Sequence, residues 1–233
     1  MKIIKQQASW LPRPSLFCKQ MAVSLLSYIT LPFFHETENG TKLFFEKNYY
    51  NKKDELVFDG SNGSYFDKLI ALISKDYRDL ILDLGCGKDA AFYSWAINKG
   101  ISFRTYIGID FSVKNIFIDE RAEIANDNLI VFDKYRKNSE SAMIVLSNSL
   151  CYLSNREFLK VLKCIRQGDE IVIIDPEPNL FWDAHFCGIK PVYRKHEEIT
   201  ELLRSNGFTV EGITTDYFLK RLFRMSYALY GIK

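Results

Sequence analysis

The chain is short of the features that mark several large protein classes. Its five cysteines, Cys18, Cys86, Cys151, Cys164 and Cys187, are odd in number and scattered, which argues against a disulfide framework and suits free thiols in a reducing compartment. None has the C-x-x-C spacing of a metal site. No apolar run is long enough to span a bilayer: the longest, Met21 to Phe34, is interrupted by Ser24, Ser27, Thr30 and Pro32. Lys2, Lys5, Arg13 and Lys19 precede it as in a signal peptide, but no small-residue cleavage site follows, so a cytoplasmic helix is the expectation. Bulk charge is also missing. Lysine and arginine total 31 against 29 acids, a net charge of +2, so nothing in the overall balance draws the chain to nucleic acid. There is no internal repeat and no low-complexity tract.

What is present is an ordinary globular composition. With 233 residues, 47% of them hydrophobic and 26% charged, the chain can bury one good core and carry a smaller appendage. From Leu80 onward, strand-like and helix-like segments alternate, the pattern of a parallel sheet covered by helices. Leu80 to Leu84 reads as a buried first strand, Asp89 to Asn98 as a helix stopped by Gly100, and Thr105 to Ile109 as a second strand. Ser112 offers an N-cap for a helix reaching about Ala122. Leu129 to Phe132 is the expected third strand and Met143 to Leu146 the fourth. A helix bearing Leu159, Val161, Leu162 and Ile165 ends at Gly168, and Glu170 to Ile174 is the fifth strand. A helix from His196 to Ser205 leads to final strands near Thr209 to Ile213 and Met225 to Ile232. Residues 1–63 lack this rhythm and cluster aromatics such as Phe44, Phe45, Tyr49 and Tyr50; they are read as a helical lid, linked to a core of 64–233 through Asp59 to Gly63.

Gly85 and Gly87 follow the first strand and precede a helix, where glycine lets the backbone turn and approach a ligand closely. Asp110 ends the next strand, at the spacing of a carboxylate that accepts hydrogen bonds from both ribose hydroxyls of an adenosine. Gly85, Gly87 and Ala90 also fit the dinucleotide pattern G-x-G-x-x-A, so a nicotinamide-dependent oxidoreductase is a competing reading. Charge favours a different adenosine. A pyrophosphate would lie against Asp83 and Asp89 with only Lys88 to offset them, whereas S-adenosyl-L-methionine brings a sulfonium and an ammonium against one carboxylate.

The stretch Leu82, Asp83, Leu84, Gly85, Cys86, Gly87 resembles the first motif of class I S-adenosylmethionine-dependent methyltransferases. Gly108, Ile109 and Asp110 resemble that family's ribose-binding strand end, and the segments from Ile144 to Leu153 and from Glu170 to Pro176 are similar to its fourth and fifth strands. The resemblance covers about Asp67 to Lys233. It implies an α/β fold: a three-layer, Rossmann-like, doubly wound sheet of seven strands with the last antiparallel. It further implies a cofactor site formed by Asp83, Gly85, Cys86, Gly87, Asp110, Phe111, Ser147 and Asn148, with Asp133 meeting the adenine amino group. Asp89 stands where the family usually has a third glycine. Plainer readings remain beside these: Asp89 as a helix N-cap, Cys86 as a small filler, Asp133 as a turn residue.

Methyl transfer from a sulfonium is an in-line displacement, so the protein must mainly align the acceptor and exclude water. The reactive end should lie beyond the carboxyl ends of the central strands, at Ser147, Asn148 and Ser149 and at Asp175 and Glu177. Residues 179–195 read as a substrate-pocket insertion, with Trp182 and Tyr193 as substrate contacts, Tyr49 closing from the lid, and His185 as the candidate general base. A packed, hydrogen-bonded histidine is the alternative for His185. No Asn-Pro-Pro-Tyr-like segment, no Pro-Cys nucleophile and no paired acids for magnesium are visible, so amino-adenine, cytosine C5 and catechol chemistry are disfavoured. A small, partly apolar acceptor fits the neutral charge and the aromatics. A cofactor-binding protein with cyclase-like or binding-module function keeps the same fold and stays open.

Overall fold

A computed structural model describes residues 69, 70, 72, 73, 76–111, 113–136, 141–176, 192–213 and 226–233. The expected lid, Tyr49, Trp182 and His185 lie outside the described residues.

Among the described residues, eight strands form one sheet: β1 Arg78–Leu84, β2 Phe103–Ile109, β3 Ile116–Asp119, β4 Ala122–Ala125, β5 Ala142–Ser147, β6 Glu170–Pro176, β7 Thr209–Ile213 and β8 Ser226–Ile232. Their order is β3-β4-β2-β1-β5-β6-β8-β7. The five central strands β4, β2, β1, β5 and β6 are mutually parallel, and β8 runs antiparallel to both β6 and β7. Near-continuous apolar runs are what a parallel strand covered on both faces requires, and β5 and β6 are buried at almost every position. Alternate residues go to opposite faces. Leu80, Leu82 and Leu84 pack under the helices α2 (Asn155–Cys164) and α3 (His196–Ser205), through Phe158, Val161, Leu162, Ile199 and Leu203. Ile81, Met143, Val145, Val172 and Ile174 pack on the other side under α1 (Ala91–Asn98), through Phe92, Tyr93, Trp95 and Ala96. The three-layer α/β architecture is thus the expected one, with an eighth strand added.

That strand lies where a helix was expected. The segment after Asp110 forms a hairpin, β3 turning into β4, and Ser112 itself falls outside the described residues. Ile116, Phe117 and Ile118 are β-branched or aromatic, types that favour strand over helix. Asp119 fixes the turn by accepting from Arg121 N–H at 2.8 Å and from the Tyr93 hydroxyl of α1. The pairing shifts register between Phe117 and Asp119. As a result β4, not Leu129 to Phe132, is the third parallel strand. Leu129–Tyr135 is a 3-10 segment kinked at Val131 (φ −104°, ψ 16°), started by the Asn128 side chain accepting from Ile130 N–H at 3.1 Å. Its Leu129 and Phe132 are buried while Val131 points outward, a three-residue period that the apolar run concealed.

The amino end of the sheet is held by buried ion pairs. Arg78 on β1 meets Glu170 on β6 at 2.5 Å, and Glu170 also accepts from the Tyr230 hydroxyl at 2.6 Å. Arg136 lies against Asp169 through both terminal nitrogens, and Asp169 further accepts from Ala142 N–H at 3.2 Å and Arg166 N–H at 2.6 Å. Such pairs are costly to break because the survivor is left as a buried charge.

Helix α2 opens with a capping box. Ser154 Oγ accepts from Glu157 N–H at 3.2 Å, and Glu157 accepts from Ser154 N–H at 2.7 Å. Ser154→Ala is expected to lower stability by about 1 kcal/mol, read as a small drop in denaturant midpoint with an unchanged slope; no drop would mean that water replaces the box. Helix α1 is different: its N-cap is Ala90, with φ 42° and no side-chain cap, so Asp89, exposed on the preceding turn, is not the cap.

Candidate functional site

The carboxyl ends of β1, β2, β5 and β6 converge on the glycine turn. Leaving β1, the chain bends through Gly85 (φ 81°) and Gly87 (φ 64°), both in the left-handed region that favours glycine. A Cβ on Gly85 would stand 2.5 Å from Ser149 Cβ, so this glycine lets the turn press against the segment after β5. Gly87 differs, because a Cβ there would meet nothing within 4 Å. It borders open space, and its N–H donates to Asp110 Oδ2 at 3.0 Å. Asp110 is thereby fixed at the end of β2, where its own N–H reaches Ala125 O at 3.0 Å.

Cys86 sits between these glycines with its sulfur where a Cβ on Gly108 would be, 2.5 Å away. Burial, followed by the charges of Asp83 and Asp110, pushes its thiol well up. A thiol held protonated is a poor nucleophile, in keeping with a filler.

Asp83 is the most perturbed group of the turn. It is buried, its Oδ2 accepts from the Tyr106 hydroxyl at 2.6 Å, and its Oδ1 has no partner among the described residues. Burial raises the carboxyl from 3.8 to about 7, the Tyr106 hydrogen bond opposes the rise, and the nearby Asp110 charge adds to it. Two more orphans lie at the same end of the sheet. Ser149 Oγ and Asp175 Oδ2 are buried with no partner among the described residues. Asp175, at the end of β6, accepts from Cys151 N–H at 3.4 Å through Oδ1. Burial raises it to about 8, with the Cys151 N–H and the charge of Arg194 pulling the other way. At the amino end of the sheet the buried carboxylates are saturated; at the carboxyl end they have oxygens to spare. A buried oxygen without a donor is costly, and a ligand carrying donors relieves that cost.

The other expected residues divide. Ser147 and Asn148 are half-buried at the end of β5, and Asn148 adopts φ 54° while its N–H reaches Ile174 O at 2.7 Å, turning the chain toward Ser149. Phe111 follows Asp110 and its carbonyl accepts from Asn126 Nδ2 at 3.2 Å. Tyr193 is half-buried just before α3. Asp133 does not end a strand: it lies within the 3-10 helix, half exposed, 3.5 Å from Arg166. The acid that follows the third parallel strand is Asp127, which accepts from the Tyr135 hydroxyl at 2.7 Å and pairs with Lys134. Sequence reasoning passed over Arg194. This buried guanidinium donates to Asn155 Oδ1 at 2.8 Å and to the carbonyls of Leu150, Leu153 and Val192, clamping the turn that presents Asn148 and Ser149. Nothing local in the sequence separates it from a surface arginine.

Among the described residues, no three His, Cys, Asp or Glu side chains are grouped to hold a metal ion, and no helix is long and apolar enough to cross a membrane.

The chain matches no protein-family model and no curated protein sequence. Solved structures do match. A SAM-dependent methyltransferase from Archaeoglobus fulgidus aligns with a TM-score of 0.55 at 20% identity, covering 74% of this chain and 93% of that one. An S-adenosylmethionine-dependent methyltransferase from Mesorhizobium loti gives 0.53 at 18%, covering 73% and 98%. An O-methyltransferase family protein from Burkholderia thailandensis gives 0.54 at 11%, covering 92% and 70%. The sheet order, the left-handed glycine turn and these alignments together give the chain the fold of the class I S-adenosylmethionine-dependent methyltransferases.

Proposed function

We propose that this protein is an S-adenosylmethionine-dependent methyltransferase that methylates an oxygen or nitrogen atom of a small, partly apolar acceptor. The observation that carries the reading is the buried Asp83 Oδ1, without a partner among the described residues, on the strand that leads into the glycine turn and one strand from Asp110. The group that fits carries a cation for Asp83 and a pair of hydroxyls for Asp110. A pyrophosphate, bearing two negative charges, does not fit between two aspartates. In this reading Asp83 holds the ammonium of the methionyl part, Asp110 holds the ribose and the Gly85 to Gly87 backbone lies along the nucleoside. The adenine contact first sought at Asp133 moves to the strand end at Asn126 to Asn128.

When bound, the cofactor supplies an electrophilic methyl carbon on a sulfonium, whose sulfur keeps the bonding pair as the acceptor lone pair attacks. The chain's own work is positioning and proton handling. Ser149 Oγ and Asp175 Oδ2 have spare buried capacity at the end of the sheet where the acceptor must lie, so both orient an acceptor O–H or N–H, and Asp175 in its ionised form receives the proton. His185 remains the proposed base from the insertion, and Trp182, Tyr193 and Tyr49 the proposed apolar walls.

Isothermal titration with the methyl donor and with its demethylated product tests the reading; binding of neither sinks it, and quenching of nicotinamide fluorescence on titration would favour the oxidoreductase instead. Gly87→Ala is a sharper probe. With nothing near its Cβ, the substitution should cost the free protein only about 1 kcal/mol for the left-handed backbone. It should weaken donor binding about tenfold, because the methyl fills the space the ligand needs. Unchanged affinity would place the ligand elsewhere.

A further inference from the structure

Gly108 is the residue of β2 directly beside Asp83, and it has no side chain to offer that carboxyl. Cys86 Sγ fills the room a Cβ there would take. Alternate residues of a strand share a face, so the next side chain of β2 on the face of Asp83 is Tyr106, paired with Ile81 two residues before Asp83. A tyrosine is long enough to span that step: its hydroxyl donates to Asp83 Oδ2 at 2.6 Å.

The ring and the hydroxyl of Tyr106 have different roles. The ring is buried in the core under α1 with Ile81, Phe92, Tyr93 and Phe103, and its centroid lies 5.0 Å from that of Tyr93. A phenylalanine ring would fill that space as well. The hydroxyl needs an acceptor, because a buried one left alone is costly, and the acceptor it has is a carboxyl at the glycine turn. Burial, then the charge of Asp83, pushes the phenol well up, so it remains an O–H donor.

We propose that Tyr106 is a positioning residue of the donor site, acting through Asp83: it occupies Oδ2, fixes the carboxyl, and leaves Oδ1 as the oxygen that meets the donor's ammonium. The inference rests on the methyl-donor reading above and adds the residue that prepares the carboxylate. An O–H donor also favours the ionised carboxyl over the acid. The other groups around Asp83 do not: the Asp110 charge opposes ionisation, the Cys86 thiol is held neutral, the neighbour on β5 is Val145, and Tyr93 of α1 spends its hydroxyl on Asp119.

Calorimetric titration of the full chain with the donor's demethylated product, which carries the same ammonium, tests this at pH 6 and pH 9. Tyr106→Phe keeps the ring and should stay folded by circular dichroism. Without the hydroxyl Asp83 keeps its proton to higher pH, so the variant should bind about tenfold more weakly than wild type at pH 6. At pH 9 the carboxyl is largely ionised in both proteins, and the ratio should narrow to about twofold, the remainder reflecting a carboxyl no longer fixed. Taking the ratio cancels the titration of the ligand's own ammonium. In an Asp83→Asn background nothing is left to titrate, and adding Tyr106→Phe should change binding by the same factor at both pH values. A single variant whose ratio to wild type is the same at pH 6 and pH 9 overturns the proposal, as does a pH-dependent ratio in the Asn background; in either case the donor reading stands. A wild type that binds neither the donor nor its product sinks that reading and this inference together.

Discussion

Asp110→Ala is expected to raise the dissociation constant for the methyl donor more than a hundredfold while leaving the fold intact. A carboxylate that accepts from two ribose hydroxyls makes two charge-assisted hydrogen bonds, each worth about 1.5–3 kcal/mol when both partners are withdrawn from water. Losing about 3 kcal/mol corresponds to two powers of ten in affinity. Asp110 is 7% exposed and already anchored by the Gly87 N–H, so little ordering is spent when the ligand arrives and little of its contribution is returned. The substitution also releases that N–H and loosens the turn. Titration calorimetry on wild type and variant, with circular dichroism to establish that both are folded, gives the answer. An unchanged constant would remove the ribose assignment, and the proposed cofactor with it.

Much of this architecture could be read from the chain because parallel strands covered on both faces leave unmistakable runs. Leu80 to Leu84, Thr105 to Ile109, Met143 to Leu146 and Glu170 to Ile174 all fall inside β1, β2, β5 and β6, and the α3 and β7 segments match the expected ones residue for residue. The failures cluster between Asp110 and Tyr135. There a strong apolar run, Leu129 to Phe132, mimics a strand, while the true third strand, Ala122–Ala125, contains Glu123 and two alanines. Its strand character comes from pairing with β2 and β3, a tertiary cause that local propensity does not carry. The expected Ser112 helix failed for a related reason: an N-cap residue is weak evidence when Ile116, Phe117 and Ile118, which favour strand, follow within six residues of it.

The site was legible to the extent that it depends on backbone. Gly85, Gly87 and Asp110 are tied to a strand-turn-helix unit whose conformation glycine spacing announces. Ser149, Asp175 and Arg194 become visible only in three dimensions, because their significance lies in which buried atoms lack donors or acceptors, and residues from β5, β6 and the start of α3 meet only on folding. Asp133 shows the reverse: its assignment rested on a strand end, and when the strand moved to β4 the argument moved with it to Asn126 to Asn128.

Donor binding should release a proton from Asp83, so affinity should rise with pH until that carboxyl is ionised in the free protein. Burial holds the group near 7, and the groups facing it are the Tyr106 hydroxyl, the Asp110 carboxylate and the Cys86 thiol. None is a cation. An arriving ammonium favours the carboxylate, so below about pH 7 the proton must leave before the ion pair forms, and each unit of pH weakens binding by up to about tenfold. Above about 7.7–8.0 the donor's own α-amino group loses its charge, so affinity should peak between these limits. The same shift has the opposite sign for the free protein: the carboxyl's folded value lies above its unfolded value of 3.8. Its contribution to stability is therefore full below 3.8 and disappears as pH climbs to about 7. Titrations at pH 6 and pH 7.5 in pairs of buffers with different ionisation enthalpies measure both affinity and protons released. Asp83→Asn, which keeps the shape and the Tyr106 contact without the charge, should bind weakly at either pH and release none. A wild type whose affinity is the same at the two values would mean that Asp83 never meets a cation, and the Asp83 Oδ1 left without a donor would need another explanation.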